Sequence, residues 1–234
     1  MAKHSQMTSG KAGLVVFYWR NGKQFVRTLP AKVKLSEANI KSSNGFGRAS
    51  KLASCLLASL GPVCRMKDGT RYHRFFRACS NWLTKDPPEG KPSGKVNELM
   101  GLEINAPKMI TEQWSRQLNI TANSSGLNIA IPAFVPVQMI TRQKKAGNIK
   151  LFLTSVIMPL SDPGKAVAVS DCITTPYDDQ LFPAQQLQHQ LPVSPQSLLL
   201  TGFSVEVFNA HGLPVIQHTG YNLPAALIYA GWTG

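Results

Sequence analysis

Three features of this 234-residue chain predict an α+β protein. An aromatic, β-branched run broken by Asn-Gly stands near the front, and two segments with apolar residues at helical spacing follow it. The second half consists of short alternating stretches separated by turn clusters. The expected architecture is an N-terminal β-hairpin and two amphipathic basic helices followed by an antiparallel β-sandwich. The expected domains are a hairpin plus helix pair over 1–84, a linker over 85–95 and a sandwich over 96–234.

The hairpin rests on Leu14-Val15-Val16-Phe17-Tyr18-Trp19, the turn Arg20-Asn21-Gly22-Lys23, and Gln24-Phe25-Val26-Arg27. Asn-Gly tolerates positive φ at both central positions, so a type I′ turn is expected, with Trp19 opposite Gln24 and Tyr18 opposite Phe25. Burial of its aromatics is the expected reason for so apolar a run. Residues 29–45 read as an irregular basic connector.

A helix is predicted over about 47–60. Phe46, Ala49, Leu52, Ala53, Leu56, Leu57 and Leu60 share one arc, Ser43 or Asn44 is available as cap, and Gly61-Pro62 is the stop. The second helix, about 70–84, puts Tyr72, Phe75, Phe76, Cys79, Trp82 and Leu83 on one face, with Arg71, Arg74 and Arg77 opposite. Asp68 or Thr70 is its expected cap. The Pro/Gly/Lys-rich stretch 85–95 marks the expected boundary. Strands are then expected at 117–122, 126–132, 135–141, 148–158, 165–174, 197–209, 213–219 and 224–231.

Charge divides the chain. Residues 1–100 carry 18 Lys+Arg against 5 Asp+Glu, while residues 101–234 carry 7 of each. Such asymmetry points to an anionic partner for the front half, either nucleic acid or an acidic protein surface. The residues expected to contact it are Arg48, Lys51, Arg71, Arg74 and Arg77, with Lys32, Lys34 and Lys41 from the connector. About five phosphate contacts would give a salt slope of roughly −4.5 on duplex DNA. Phe17, Tyr18, Trp19 and Phe25 form the candidate assembly hairpin, which could also stack on single-stranded bases beside Arg20, Lys23 and Arg27.

Catalytic signatures are lacking. Gly45-Phe46-Gly47-Arg48-Ala49-Ser50 departs from the dinucleotide fingerprint, leaving only the weaker idea of a phosphate at a glycine-lined helix start. His189, His211 and His218 share the β region with Asp171, Asp178 and Asp179, without metal spacing or a G-x-S-x-G elbow. Cys55, Cys64, Cys79 and Cys172 show no zinc spacing and read as small apolar fillers; a Cys55–Cys64 disulfide stays open. No cofactor or metal is implied.

The segments Gly10-Lys11-Ala12-Gly13-Leu14-Val15-Val16, Arg20-Asn21-Gly22-Lys23 and Val26-Arg27-Thr28-Leu29-Pro30 together resemble the N-terminal signature of an uncharacterised protein family common in the Bacteroidota, a domain of unknown function. Phe46-Gly47-Arg48-Ala49-Ser50 and Tyr72-His73-Arg74-Phe75 are similar in placement, so the resemblance covers residues 10–83. The chain departs from it in lacking a glycine-rich opening and in the Pro/Gln-rich stretch Phe182 to Pro195. The resemblance implies architecture alone: a Gly-Lys-x-Gly hairpin, a basic helical segment and a β-rich C-terminal half.

The expected function is therefore non-enzymatic binding or assembly, with the basic front half on a polyanion and nucleic acid favoured. The alternatives are a self-assembling structural subunit of a phage-like particle, injection apparatus or filament, and a glycan-binding sandwich using Tyr177, Tyr221 or Trp232. No run approaches the ~20 apolar residues of a membrane span, and the first residues have no apolar signal region. A cytoplasmic or particle-borne location is the expectation.

Overall fold

The computed structural model describes residues 9–29, 36–65, 69–85, 98–105, 109–114, 116–140, 146–215 and 224–233. In chain order the elements are β1 (Gly10–Ala12), β2 (Val15–Arg20), β3 (Lys23–Thr28), α1 (Glu37–Ser59), α2 (Arg71–Lys85), α3 (Ile110–Gln113), β4 (Asn119–Asn123), β5 (Gly126–Ile131) and α4 (Pro136–Met139). Then come β6 (Asn148–Pro159), β7 (Val167–Pro176), β8 (Gln185–Gln190), β9 (Ser197–Phe208) and β10 (Ala225–Thr233). The chain forms two compact units, Met1–Ser42 and Ser43–Gly234.

The first unit holds a three-stranded antiparallel sheet in the order β1-β2-β3. Asn21 (φ 51°) and Gly22 (φ 72°) take the left-handed conformations that a type I′ turn requires. Register follows: Trp19 lies opposite Gln24 and Tyr18 opposite Phe25. Strand β1 was not expected. It folds back on β2 through Gly13 (φ 58°), pairing Lys11 with Val16, and Leu29 N–H closes the sheet by donating to Leu14 O at 2.7 Å.

Helix α1 starts earlier than the glycines suggest. Ser36 Oγ accepts from Asn39 N–H at 3.3 Å, and Glu37 sits in the first turn, where the dipole favours a negative charge. Ser43 and Asn44 are thus helix interior rather than caps. The Gly45-Phe46-Gly47 segment runs within the helix, so it offers no free N-terminal N–H groups to a phosphate. Phe46 packs on Phe76 of α2 with ring centroids 4.8 Å apart, which anchors α1 where its glycines weaken it.

In the second unit, α1 and α2 share a core with a four-stranded antiparallel sheet, order β10-β9-β6-β7. Leu52, Leu56 and Leu60 from the α1 side, and Phe75 and Trp82 of α2, meet Phe152, Val156 and Met158 of β6 and Leu198 and Leu200 of β9. Full burial of each such side chain contributes about 1.5–3 kcal/mol relative to exposure. Gly202 of β9 is a close-approach position: a Cβ there would meet Leu60 Cδ2 at 3.0 Å. The helix pair therefore shares its core with the strands, and the two compact units meet in sequence at Ser42 and Ser43. Of the 85–95 stretch only Lys85 falls among the described residues.

The opposite sheet face, with Leu151, Leu153, Phe203 and Val205, shares a second core with Ile129 and Ile131 of a three-stranded sheet, order β4-β5-β8. Helices, four-stranded sheet and three-stranded sheet make the layers of this unit. Buried on both faces, β6 and β9 read as nearly continuous apolar runs.

Two assignments are corrected. Residues 135–141 hold the one-turn helix α4 rather than a strand, because Pro136 at the first helical position suits a helix start. Strand β8 lies inside the Pro/Gln-rich stretch Phe182 to Pro195, where the sequence predicts no strand. Of the expected strand 213–219, only a bridge between Phe208 and Pro214 is described, and residues 216–220 lie outside the described set.

Candidate polyanion-binding surfaces

The sheet of the first unit has two chemically different faces. Directly paired residues share a face and neighbours along a strand alternate. One face therefore carries Ala12, Val15, Phe17, Trp19, Gln24, Val26 and Thr28, none of them charged. The other carries Lys11, Val16, Arg27, Tyr18, Phe25, Arg20 and Lys23, which includes all four sheet cations. Glu37 is the single acidic residue of positions 1–42. Tyr18 and Phe25 stack with centroids 5.6 Å apart and planes inclined by 21°, and Arg27 Cζ lies 5.9 Å from the Tyr18 ring centre. The rings stay exposed, Tyr18 at 38% and Phe25 at 41%, as does Trp19 at 42%, while Phe17 is half-buried. The expected burial of this run is thus only partial.

The helix cations are used differently. Arg74 donates to Ile104 O at 2.7 Å, to Glu103 O at 3.3 Å and to Thr70 Oγ1 at 2.6 Å, tying α2 to the 103–104 backbone. Arg71 Nη1 donates to Cys64 O at 2.9 Å. Lys51 Nζ pairs with Asp162 at 3.4 Å, and that hydrogen bond, foremost, holds the Asp162 carboxyl below its usual range. Arg48 and Arg77 are exposed. With Lys51, Arg48 lines a shallow cleft of about 410 Å³ closed by Leu52, Leu83, Leu160, Ser161 and Pro163. In the first unit Lys41 is exposed on α1, and Lys32 and Lys34 lie outside the described residues. Of the predicted stripe, Arg48 and Arg77 are the exposed arginines with no protein partner among the described residues.

Sequence reasoning passed over Lys11 and the segregation of Arg20, Lys23 and Arg27 onto one face. The signal was present: the Asn-Gly turn fixes the register, and the register fixes the faces.

The β region brings together a second polar group. His189 Nδ1 and Ser155 Oγ lie 2.7 Å apart, His189 Nε2 and Asp171 Oδ2 3.0 Å, and Ser155 Oγ and Thr201 Oγ1 3.0 Å. The residue types are those of a hydrolytic triad, but their exposure is inverted. Ser155 and His189 are fully buried, whereas the Asp171 side chain is 46% exposed. A triad needs an accessible hydroxyl and a sequestered carboxylate. Here the chain of bonds satisfies polar groups between two sheets.

Packing accounts for Cys64 and Cys79 among the remaining candidates, whereas Cys172 is exposed and is no apolar filler. All four cysteines are free thiols; burial pushes Cys64 up to about 11 and Cys79 up to about 12, far from reactive thiolates. Trp232 packs edge-on against Trp82 at 6.3 Å, and Tyr177 Oη donates to Ile140 O at 3.3 Å; Tyr221 lies outside the described residues. Among the described residues no group of His, Cys, Asp and Glu is arranged to hold a metal, and no helix is long and apolar enough to cross a membrane. Compared with protein families, curated proteins and solved structures, the chain finds no match.

Proposed function

We propose that this is a non-enzymatic binding or assembly protein whose basic N-terminal half contacts a polyanion, with nucleic acid as the favoured partner. One observation carries the reading: Lys11, Arg20, Lys23 and Arg27 share a single sheet face that bears no carboxylate. Arg20 and Lys23 are direct cross-strand partners, and like charges in that position repel. A bound polyanion removes the repulsion and gains from counterion release. Residues 101–234, with 7 Lys+Arg and 7 Asp+Glu, supply the neutral body of the protein.

Retention of the full-length protein on heparin and on DNA, lost at moderate salt, is the expected result. Passage through both columns at low salt would overturn the reading. The uncharged face of the same sheet, with Val15, Phe17, Trp19 and Val26, favours self-assembly as a second reading. Light scattering tests it, since a molar mass independent of concentration excludes strong association.

A further inference from the structure

We propose that the cationic face of the β1-β2-β3 sheet is a single-strand nucleic-acid site, in which unpaired bases stack on Tyr18 and Phe25 while Lys11, Arg20, Lys23 and Arg27 take the phosphates. This rests on the polyanion reading above and narrows it to one surface and one ligand class.

The order of the rows carries the inference. Along the strands the face reads Arg20 opposite Lys23, then Tyr18 opposite Phe25, then Lys11, Val16 and Arg27 in line. The aromatic pair is thus bracketed by a cationic row on each side. Rows on one face are two residues apart, so the outer rows stand about 13 Å from each other. A chain crossing this face meets cation, ring and cation in turn, matching a strand whose phosphates alternate with bases.

Exposure of the rings decides between ligands. Duplex DNA keeps its base faces covered by neighbouring bases and offers only phosphates, which would leave Tyr18 and Phe25 unused. Unpaired bases present a π-face that stacks on aromatic side chains whatever the sequence. Arg27, placed against the Tyr18 ring, adds a planar cation to the same platform. An acidic protein surface would also satisfy the charges but has no equivalent demand for two exposed rings. Trp19 and Phe17 point to the opposite face and take no part.

The test uses the full chain and three probes at one salt concentration: labelled oligo(dT), a hairpin duplex of similar charge, and polyglutamate. Anisotropy is expected to rank oligo(dT) tightest. The double variant Tyr18→Val and Phe25→Val keeps strand-forming side chains; it should weaken oligo(dT) binding about tenfold or more while duplex affinity holds. Equal losses for both probes, or a duplex bound as tightly as oligo(dT), overturn the single-strand site. Polyglutamate binding as tightly as oligo(dT) does so too, yet leaves the polyanion reading standing. Failure of all three probes to bind at low salt overturns both. Photocrosslinking of 4-thiothymidine oligomers to the unmodified protein is independent of any folding defect. Adducts on Tyr18 or Phe25 are expected, and adducts confined to α1 and α2 overturn the proposal.

Discussion

Tyr18 and Phe25 face each other across β2 and β3 with ring centroids 5.6 Å apart, on the face that also gathers every cation of that sheet. Aromatic stacking of this kind strengthens a small sheet by about 0.5–1.5 kcal/mol beyond simple burial. The pair therefore stabilises a three-stranded sheet while leaving ring surface in water. The neighbouring Arg20 and Lys23 pull the other way, because opposed like charges destabilise the turn end. Among the described residues that sheet face bears no carboxylate to relieve the repulsion, and the proposed polyanion would supply the missing negative charge.

The first prediction concerns salt. Four phosphate contacts from Lys11, Arg20, Lys23 and Arg27 give a slope of log K against log salt near −2.8 on single strands, at roughly −0.7 per contact. Replacing Arg20 and Lys23 by Gln should flatten the slope to about −1.4. Titrations of oligo(dT) at several salt concentrations check this. An unchanged slope would show that other cations carry the binding.

Arg74 should behave as a structural residue. Its guanidinium holds Glu103 O and Ile104 O against α2, and truncation strips those carbonyls of a charged donor. Arg74→Met is expected to cost about 1.5–3 kcal/mol of stability. Urea denaturation measures that loss, and nucleic-acid affinity should stay within error of the parent. A variant of undiminished stability but poor binding would return Arg74 to the contact surface.

How much of this was legible in the residues varies by element. The Asn21-Gly22 turn fixed the hairpin and its register, because few other pairs accept positive φ twice. Helical periodicity placed both apolar stripes, and β6, β7, β9 and β10 follow from length and β-branching. Strand β8 was hidden because Gln185, Gln186, Gln188 and Gln190 make it polar; Leu187 and the buried His189 are its apolar and inward signals, too few to read as alternation. The true start of α1 was masked by Gly45 and Gly47, whose low propensity outweighed the Ser36 cap in a local reading. Least visible was the use of Arg71 and Arg74. A cation facing away from an apolar stripe reads as solvated, and nothing local says that a distant carbonyl will reach it.

Ser155 offers a test of the buried relay. Ser155→Ala removes the hydroxyl that joins His189 Nδ1 to Thr201 Oγ1, leaving buried groups short of a partner. A loss of about 1–3 kcal/mol is expected. Asp171→Asn, at an exposed position where water can replace the contact, should cost under about 0.5 kcal/mol. Denaturation midpoints of the two variants separate a structural network from a surface one. Equal losses would mean that the carboxylate, rather than the hydroxyl, organises the group.

Glu206 gives the chain a pH-dependent weakness. Its side chain is buried on β9, 3.6 Å from Arg65 and directly across the ladder from Lys150. Burial raises its carboxyl above the ordinary value of 4.5, with Arg65 and Lys150 only partly opposing it. A raised acid binds its proton more tightly in the folded state than in the unfolded one. Its contribution is therefore fully present below pH 4.5 and is lost as pH climbs through the raised folded value. Glu206→Gln cannot ionise and should escape this loss, so the variant's stability should gain on the parent's between about pH 4 and pH 8. Urea midpoints across that range check the sign. Parallel curves would mean that the Arg65 contact offsets the burial completely. A variant that falls behind as pH rises would mean that attraction to Arg65 and Lys150 outweighs the cost of burying the carboxylate at this end of β9.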